Sequence, residues 1–351
     1  MLLVEQVIGS YAVKYTNLIP LINKEYAGCD SDKLNIFIDL AGIMRNLIVT
    51  ELSNANPYLI VSKIINLCAH YRNFFREYYK TSTQIFLILS IIDNKSINKL
   101  YVPNYERRIY SPASSNNDKV SKAISVLNVL APYIDDFYTC ESNYEFGVHV
   151  YDIIGHQMLN GEIIPSMIIS KDPYNYQLVS PDTPLMTMLR PKKNRGEDES
   201  FMVTNNSAIK EFCIANRSKC EIENIDSSYL PLIAALTRMP ERDIEPLYKI
   251  PTVLKALSTA IDKGYILSQS GVGIEYVCDA LIKNKLLKIN DTFLVSSRFK
   301  AIDINTQYSI FSVNALPTLK YNGMVNLYDP KSVKEINNTY FKDYPLDLNV
   351  L

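Results

Sequence analysis

The chain has 351 residues, 47% of them hydrophobic, which is enough for one large domain or two ordinary ones with a sizeable core. Its 36 basic and 37 acidic side chains leave a formal net charge of −1, so there is no global electrostatic pull toward nucleic acid and any basic surface must be local. Six cysteines without a Cys-x-x-Cys pair, and only three histidines, argue against a zinc site, a disulfide frame or a histidine-based triad. The chain shows no signal-type opening and no apolar run of membrane-spanning length, so the expectation is a soluble intracellular protein with no membrane partner. Abundant Asn, Ile and Lys, with 25 tyrosines and no tryptophan, suggest an AT-rich coding genome, and a viral or phage origin is one reading.

In chain order, residues 1–33 form a mixed amphipathic stretch that reads equally as a helix or a strand pair. Residues 34–40 (LNIFIDL) are a short apolar run ending in an acid, Asp39, before a small-residue turn and a helix start. Buried strands of α/β sheets have this form, because helices cover both faces. Residues 46–80 are apolar at helical spacing and predict one or two core helices. Residues 83–93 predict a second buried strand, again ending in an acid, Asp93. A polar, tyrosine-spotted segment follows over 94–118, then an amphipathic helix over 119–133. A short strand at 137–140 leads to Glu145 and a helix over 144–158. A third buried strand at 163–170 ends beside Asp172. This alternation predicts a parallel sheet with crossover helices.

Beyond residue 180 the texture changes. Residues 185–190 predict an edge strand, and the charged run 190–199 a hairpin tip. Helices are predicted over 207–215, 229–237, 250–263 and 274–285, followed by a short β-like pair near 292–295 and 310–313. The polar tail, 327–351, carries apolar spots suited to docking on a partner.

Function in open α/β sheets gathers past the carboxyl ends of the strands. Asp39, Asp93 and Asp172 stand at that address, with Glu145 beside them. Carboxylates converging there repel one another, and keeping several normally requires a divalent cation. The plainer alternative is that they are solvated strand-end acids, with Asp39 a turn or N-cap residue.

Several segments, in order, resemble the PIN-like 5′-nuclease superfamily of flap endonucleases and phage and bacterial 5′–3′ exonucleases. Phe37-Ile38-Asp39 with Arg45 resembles its opening strand, acid and following arginine. Ile92-Asp93-Asn94-Lys95 resembles its second strand and turn. Tyr101 to Arg108 resembles the entry to its helical arch. Ile168 to Ser180 resembles its Ile-Ser-Gly-Asp-Lys-Asp-x-x-Gln-Leu-Val-Ser segment. Tyr229 to Leu236, with Arg238 and Asp243 to Pro246, resembles the lead-in to the helix–three-turn–helix that grips duplex DNA. The similarity covers roughly residues 34–265. The sequence departs from the pattern at Glu145-Phe146-Gly147-Val148, where two aspartates are missing, and at Tyr174, where an acid is expected. It departs again at Thr237-Arg238, where Gly-Asp is expected and only Glu241 or Asp243 stands nearby, and at Lys249 to Thr252, which replaces a Gly-x-Gly.

The resemblance implies a PIN-like parallel sheet flanked by helices over 34–180, with an arch-like segment at about 95–133. A helix–three-turn–helix-like region would follow over 181–290, then a C-terminal extension over 291–351. It implies Asp39, Asp93, Glu145 and Asp172 as the catalytic and metal-binding set. The missing acids are mostly those for a second ion, so at most one Mg or Mn is expected. Arg45, Lys95, Lys99, Tyr105, Arg107, Arg108, Lys119 and Lys122 would contact DNA at 5′ ends, flaps or duplex–single-strand junctions, with tyrosines interleaved for stacking. An ordinary mixed surface is the alternative for that patch, and a plain loop tip for Arg190 to Arg195. Two functions stay open. One is a DNA-binding protein with a degenerate metal site, weak or inactive as a nuclease, serving with protein partners in a replication, transcription or virion assembly. The other is an active metal-dependent 5′–3′ exonuclease or flap endonuclease.

Overall fold

The computed structural model describes residues 32–41, 56–90, 98–105, 117–170, 172–179, 186–194, 197–203, 205–220, 224–237, 242, 244–268, 273–314, 322–323 and 329–343. The first half alternates strand and helix: β1 (Lys33–Asp39), α1 (Pro57–Tyr79), β2 (Ser82–Ser90), α2 (Asn98–Tyr101), α3 (Asn117–Leu130), β3 (Phe137–Ser142), α4 (Phe146–Leu159) and β4 (Ser166–Ile169). A 3-10 segment, Pro173–Leu178, leads to the hairpin β5 (Met186–Asn194) and β6 (Glu197–Val203). Helices follow: α5 (Asn205–Ala215), α6 (Leu230–Leu236), α7 (Ile250–Asp262), α8 (Ile274–Lys283), α9 (Thr292–Ile302), α10 (Ile304–Asn314) and α11 (Pro330–Tyr340).

The strands form one sheet in the order β3-β2-β1-β4-β5-β6, parallel throughout except for β5 with β6. From β1 the chain builds outward through β2 and β3, then crosses back to lay β4 on the other side of β1. The switch point of the sheet therefore lies between the ends of β1 and β4, where such sheets open a crevice.

Side chains of a strand alternate between faces. Ile36, Ile38, Ile85, Leu87, Met167 and Ile169 pack with α1 and α3 residues such as Ile64, Phe75 and Leu127. Phe37, Phe86, Ile88 and Ile168 join the other core, with Phe146 and Val150 of α4 and the helices of the second half. Asp39, two residues beyond Phe37, shares that second face. This double burial is why the strands read as continuous apolar runs.

Three expectations need correction. Where a β-like pair was expected near 292–295 and 310–313, the chain forms α9 and α10. Asp291 accepts a hydrogen bond from the Leu294 amide at 2.8 Å, and Asp303 accepts from the Thr306 amide at 2.9 Å, so each helix has an N-cap. Capping and burial of Val295, Ile302 and Phe311 outweigh the β preference of the local residues. The expected edge strand, β5, is interior, because β6 folds back beside it. The tail over 327–351 was expected to offer its apolar spots to a partner, and one of them docks on this chain itself. Asp329 caps α11, and the Phe341 ring beyond it is buried edge-on to Tyr58 at 5.5 Å.

On the opposite edge, β3 is met by Asn322: the Thr139 amide donates to the Asn322 carbonyl at 3.1 Å, and the Asn322 amide returns a bond at 2.9 Å. Gly323 follows with φ +95°, and a Cβ there would lie 2.2 Å from the Phe137 carbonyl oxygen, so only glycine fits.

Candidate acid site at the sheet switch point

Asp39 closes β1 and is fully buried. Its Oδ2 accepts from Ser170 Oγ at 2.9 Å and from Asn175 Nδ2 at 3.3 Å. Ser170 stands just past β4, and its Oγ also accepts from the Asp172 amide at 3.1 Å and from Asn175 Nδ2 at 2.9 Å. Asp172 caps the 3-10 segment, with Oδ1 accepting from the Tyr174 amide at 3.0 Å. This hydrogen-bonded turn sets the two aspartates on neighbouring strand ends.

Glu145 precedes α4 as its N-cap residue, yet its side chain makes no capping bond. The carboxylate is engaged elsewhere. Arg242, in the stretch between α6 and α7, donates from Nε to Glu145 Oε1 at 2.9 Å and from Nη2 to Glu145 Oε2 at 3.0 Å. The same Nη2 donates to Asp172 Oδ2 at 2.9 Å. Tyr105 donates its hydroxyl to Glu145 Oε1 at 2.7 Å and lies 3.0 Å from Arg242 Nε. The guanidinium carbon sits 4.3 Å over the Tyr174 ring. Arg242, Glu145 and Asp172 are all 0% exposed.

Burial alone would push the guanidinium toward its neutral form. Asp172 and then Glu145 more than offset that, holding the Arg242 pKa well above its ordinary value. Burial, reinforced by Glu145, raises the Tyr105 phenol; burial, with Tyr105 and Glu145, raises Tyr174. The centre is thus a protein-borne cation held between two carboxylates and two neutral phenols.

The residues present do not fit a divalent ion. A metal on Glu145 and Asp172 would need the oxygens that Arg242 already holds, and two like charges cannot share that space. Among the described residues no three His, Cys, Asp or Glu side chains are grouped to hold a metal. The positions of the two missing aspartates are filled by core: Val148 is fully buried, and a Cβ at Gly147 would lie 2.4 Å from Ile304 Cδ1 of α10.

Of the other residues singled out in the sequence, Asp93, Arg45, Lys95, Arg107 and Arg108 lie outside the described residues. Lys119 lies in α3, and its side chain is outside them. Lys122 is exposed on α3 and Lys99 is half-buried on α2. Tyr105 is corrected outright as a base-stacking residue: it is 0% exposed and committed to Glu145. The residue that sequence reasoning missed is Arg242. It stands in sequence between Glu241 and Asp243, the two acids weighed as substitutes, and no local signal marks it as the partner of Glu145 and Asp172.

The α9–α10 corner is hydrogen-bonded to the segment that follows Asp172. Gln177 Nε2 donates to the Ile302 carbonyl at 3.1 Å and its Oε1 accepts from the Ile304 amide at 3.1 Å, while Gln307 Nε2 donates to Tyr174 Oη at 2.6 Å. Asn98 Nδ2 donates to the Ala301 carbonyl at 2.7 Å, tying α2 to the same corner.

The parallel sheet with crossover helices is the arrangement expected from the alternation of strands and helices in the sequence. No protein-family model matches the sequence, and no curated protein matches it. Among solved structures, the T5 D15 protein, co-crystallised with metal ions, is similar at a TM-score of 0.47 and 12% identity, over 80% of this chain and 93% of that one. The catalytic core of Rad2 in complex with DNA substrate is similar at a TM-score of 0.40 and 8% identity, over 88% of this chain and 86% of that one. The eukaryotic junction-resolving enzyme GEN-1 is similar at a TM-score of 0.37 and 12% identity, and this chain spans 63% of it. The likeness to all three is one of chain arrangement. Among the described residues no helix is long and apolar enough to cross a membrane.

Proposed function

We propose that this PIN-like protein binds DNA without cutting it, as a subunit of a replication, transcription or virion assembly. One observation carries the reading: the Arg242 guanidinium joins Glu145 to Asp172 in the place where phosphodiester hydrolysis would need a metal. The replacement of neighbouring acid positions by Gly147 packed on Ile304 and by Tyr174 under Arg242 points the same way. Support for the grip is local charge. Lys122 on α3 is exposed, as are Lys249, Lys255 and Lys263 around α7, in the region whose sequence resembles a duplex-gripping element. Each phosphate contact of this kind contributes affinity that falls as salt rises.

The test is a 5′-flap DNA incubated with Mn2+ and either wild-type protein or the Asp39→Ala/Asp172→Ala double variant. The expected result is binding that weakens steeply with salt, and intact DNA with both proteins. Cleavage by the wild type that disappears in the double variant would establish the active 5′-nuclease instead.

A further inference from the structure

We propose that Arg242 is a built-in cation that closes this site to divalent metals, and that withdrawing its side chain leaves Glu145 and Asp172 able to take one. The inference rests on the reading of the switch point as a former metal site, and it concerns how that site is held shut.

Three features of the geometry carry it. First, one nitrogen, Arg242 Nη2, lies within 3.0 Å of a carboxylate oxygen from each of two separate elements, the entrance to α4 and the turn after β4. Both carboxylates thus direct an oxygen at one spot. Second, the arginine is cradled by groups that suit a positive charge and little else: the Tyr174 face at 4.3 Å and the Tyr105 hydroxyl at 3.0 Å. Third, with Arg242 absent, the positive charge it places between the two fully buried carboxylates of Glu145 and Asp172 would be gone. An ion with waters in the emptied space answers that, because Mg2+ and Mn2+ sites manage with one or two direct carboxylates plus water. Gly147 and Val148 offer no further acid, so the site opened would be weak and single.

The experiment measures metal uptake in the absence of DNA, which keeps it separate from the question of DNA binding. Free Mn2+ is followed by electron paramagnetic resonance as protein is added, and thermal unfolding is recorded with Mn2+ and with chelator. Three proteins are compared: wild type, Arg242→Ala, and Arg242→Ala/Glu145→Gln/Asp172→Asn. Arg242→Ala is expected to bind one equivalent at least ~10-fold more tightly than wild type, with a dissociation constant of about 0.1–1 mM, the range of weak oxygen-ligand sites. It should also melt higher with Mn2+ than with chelator. The triple variant should show neither effect. If Arg242→Ala unfolds in chelator, it is refolded with and without Mn2+: recovery only with the ion supports the proposal, and no recovery with the ion overturns it. A folded Arg242→Ala that takes up no more Mn2+ than wild type also overturns it. So does tight wild-type uptake that is lost in the triple variant.

Discussion

Arg242 holds its guanidinium carbon over the ring of Tyr174, 4.3 Å from the ring centre. In the resemblance to 5′-nucleases, position 174 is an acid. Here an aromatic face stands against a cation, each suited to the other and neither suited to a metal.

The two parts of Tyr174 can be separated. Its hydroxyl accepts from Gln307 Nε2 at 2.6 Å, so Tyr174→Phe should cost about 1 kcal/mol, the worth of an ordinary hydrogen bond. Tyr174→Leu loses the ring as well and should cost about 1–2 kcal/mol more through the cation–π contact and packing. Urea unfolding of the three proteins gives both differences, and equal losses in the two variants would remove the ring–guanidinium contact as a source of stability.

Arg242→Lys keeps the charge but not the planar fork that spans Glu145 and Asp172. We expect a loss of about 2–4 kcal/mol, close to that of breaking a buried pair outright. In a cycle with Glu145→Gln, the two substitutions should be strongly non-additive. Additive effects would mean that the charge, not the fork, holds the site.

Gly147 faces Ile304 so closely that a methyl group would stand 2.4 Å from Ile304 Cδ1. Alanine favours a helix over glycine by about 1 kcal/mol, while overpacking costs about 1–3 kcal/mol. Gly147→Ala should therefore be neutral to mildly destabilising alone and become clearly stabilising relative to Ile304→Ala in the background of that second substitution. Chemical denaturation of the pair and both singles tests this sign change.

His149 is fully buried, with Nε2 2.5 Å from Ser142 Oγ, and burial pushes its pKa down to about 3. The unfolded chain takes up a proton near pH 6.5 that the folded chain accepts only near pH 3. Its contribution to stability is therefore complete above about pH 6.5 and is lost as pH falls toward 3, by at most ~1.4 kcal/mol per pH unit. The melting temperature should drop through that window, and His149→Gln should flatten the decline by the equivalent of one proton.

The sheet was legible because β1, β2 and β4 each bury both faces, which writes itself as an unbroken apolar run with a polar residue at the end. Asp39 and Asp172 followed from that, as residues fixed by local chain direction. Arg242 was not legible, since its partners lie 97 and 70 residues away in the chain and nothing local predicts which helix connection returns to a strand end. Tyr105 was misread for a related reason. A tyrosine among basic residues looks the same whether its ring faces solvent or, as here, its hydroxyl is turned inward onto a buried carboxylate. In α9, Thr-Phe-Leu-Val favours a strand by composition, and the caps at Asp291 and Asp303 overrule it.

The bridge between Thr139 and Asn322 reaches beyond its two hydrogen bonds. An outer parallel strand with open amides invites a foreign strand to add to it, the route by which sheets aggregate or recruit extended peptides. Here the chain lays its own backbone across that position, and Gly323 is the hinge that lets it come so near. Larger residues at 323 would lift this guard, so the first symptom of such a substitution should be self-association rather than loss of the acid site.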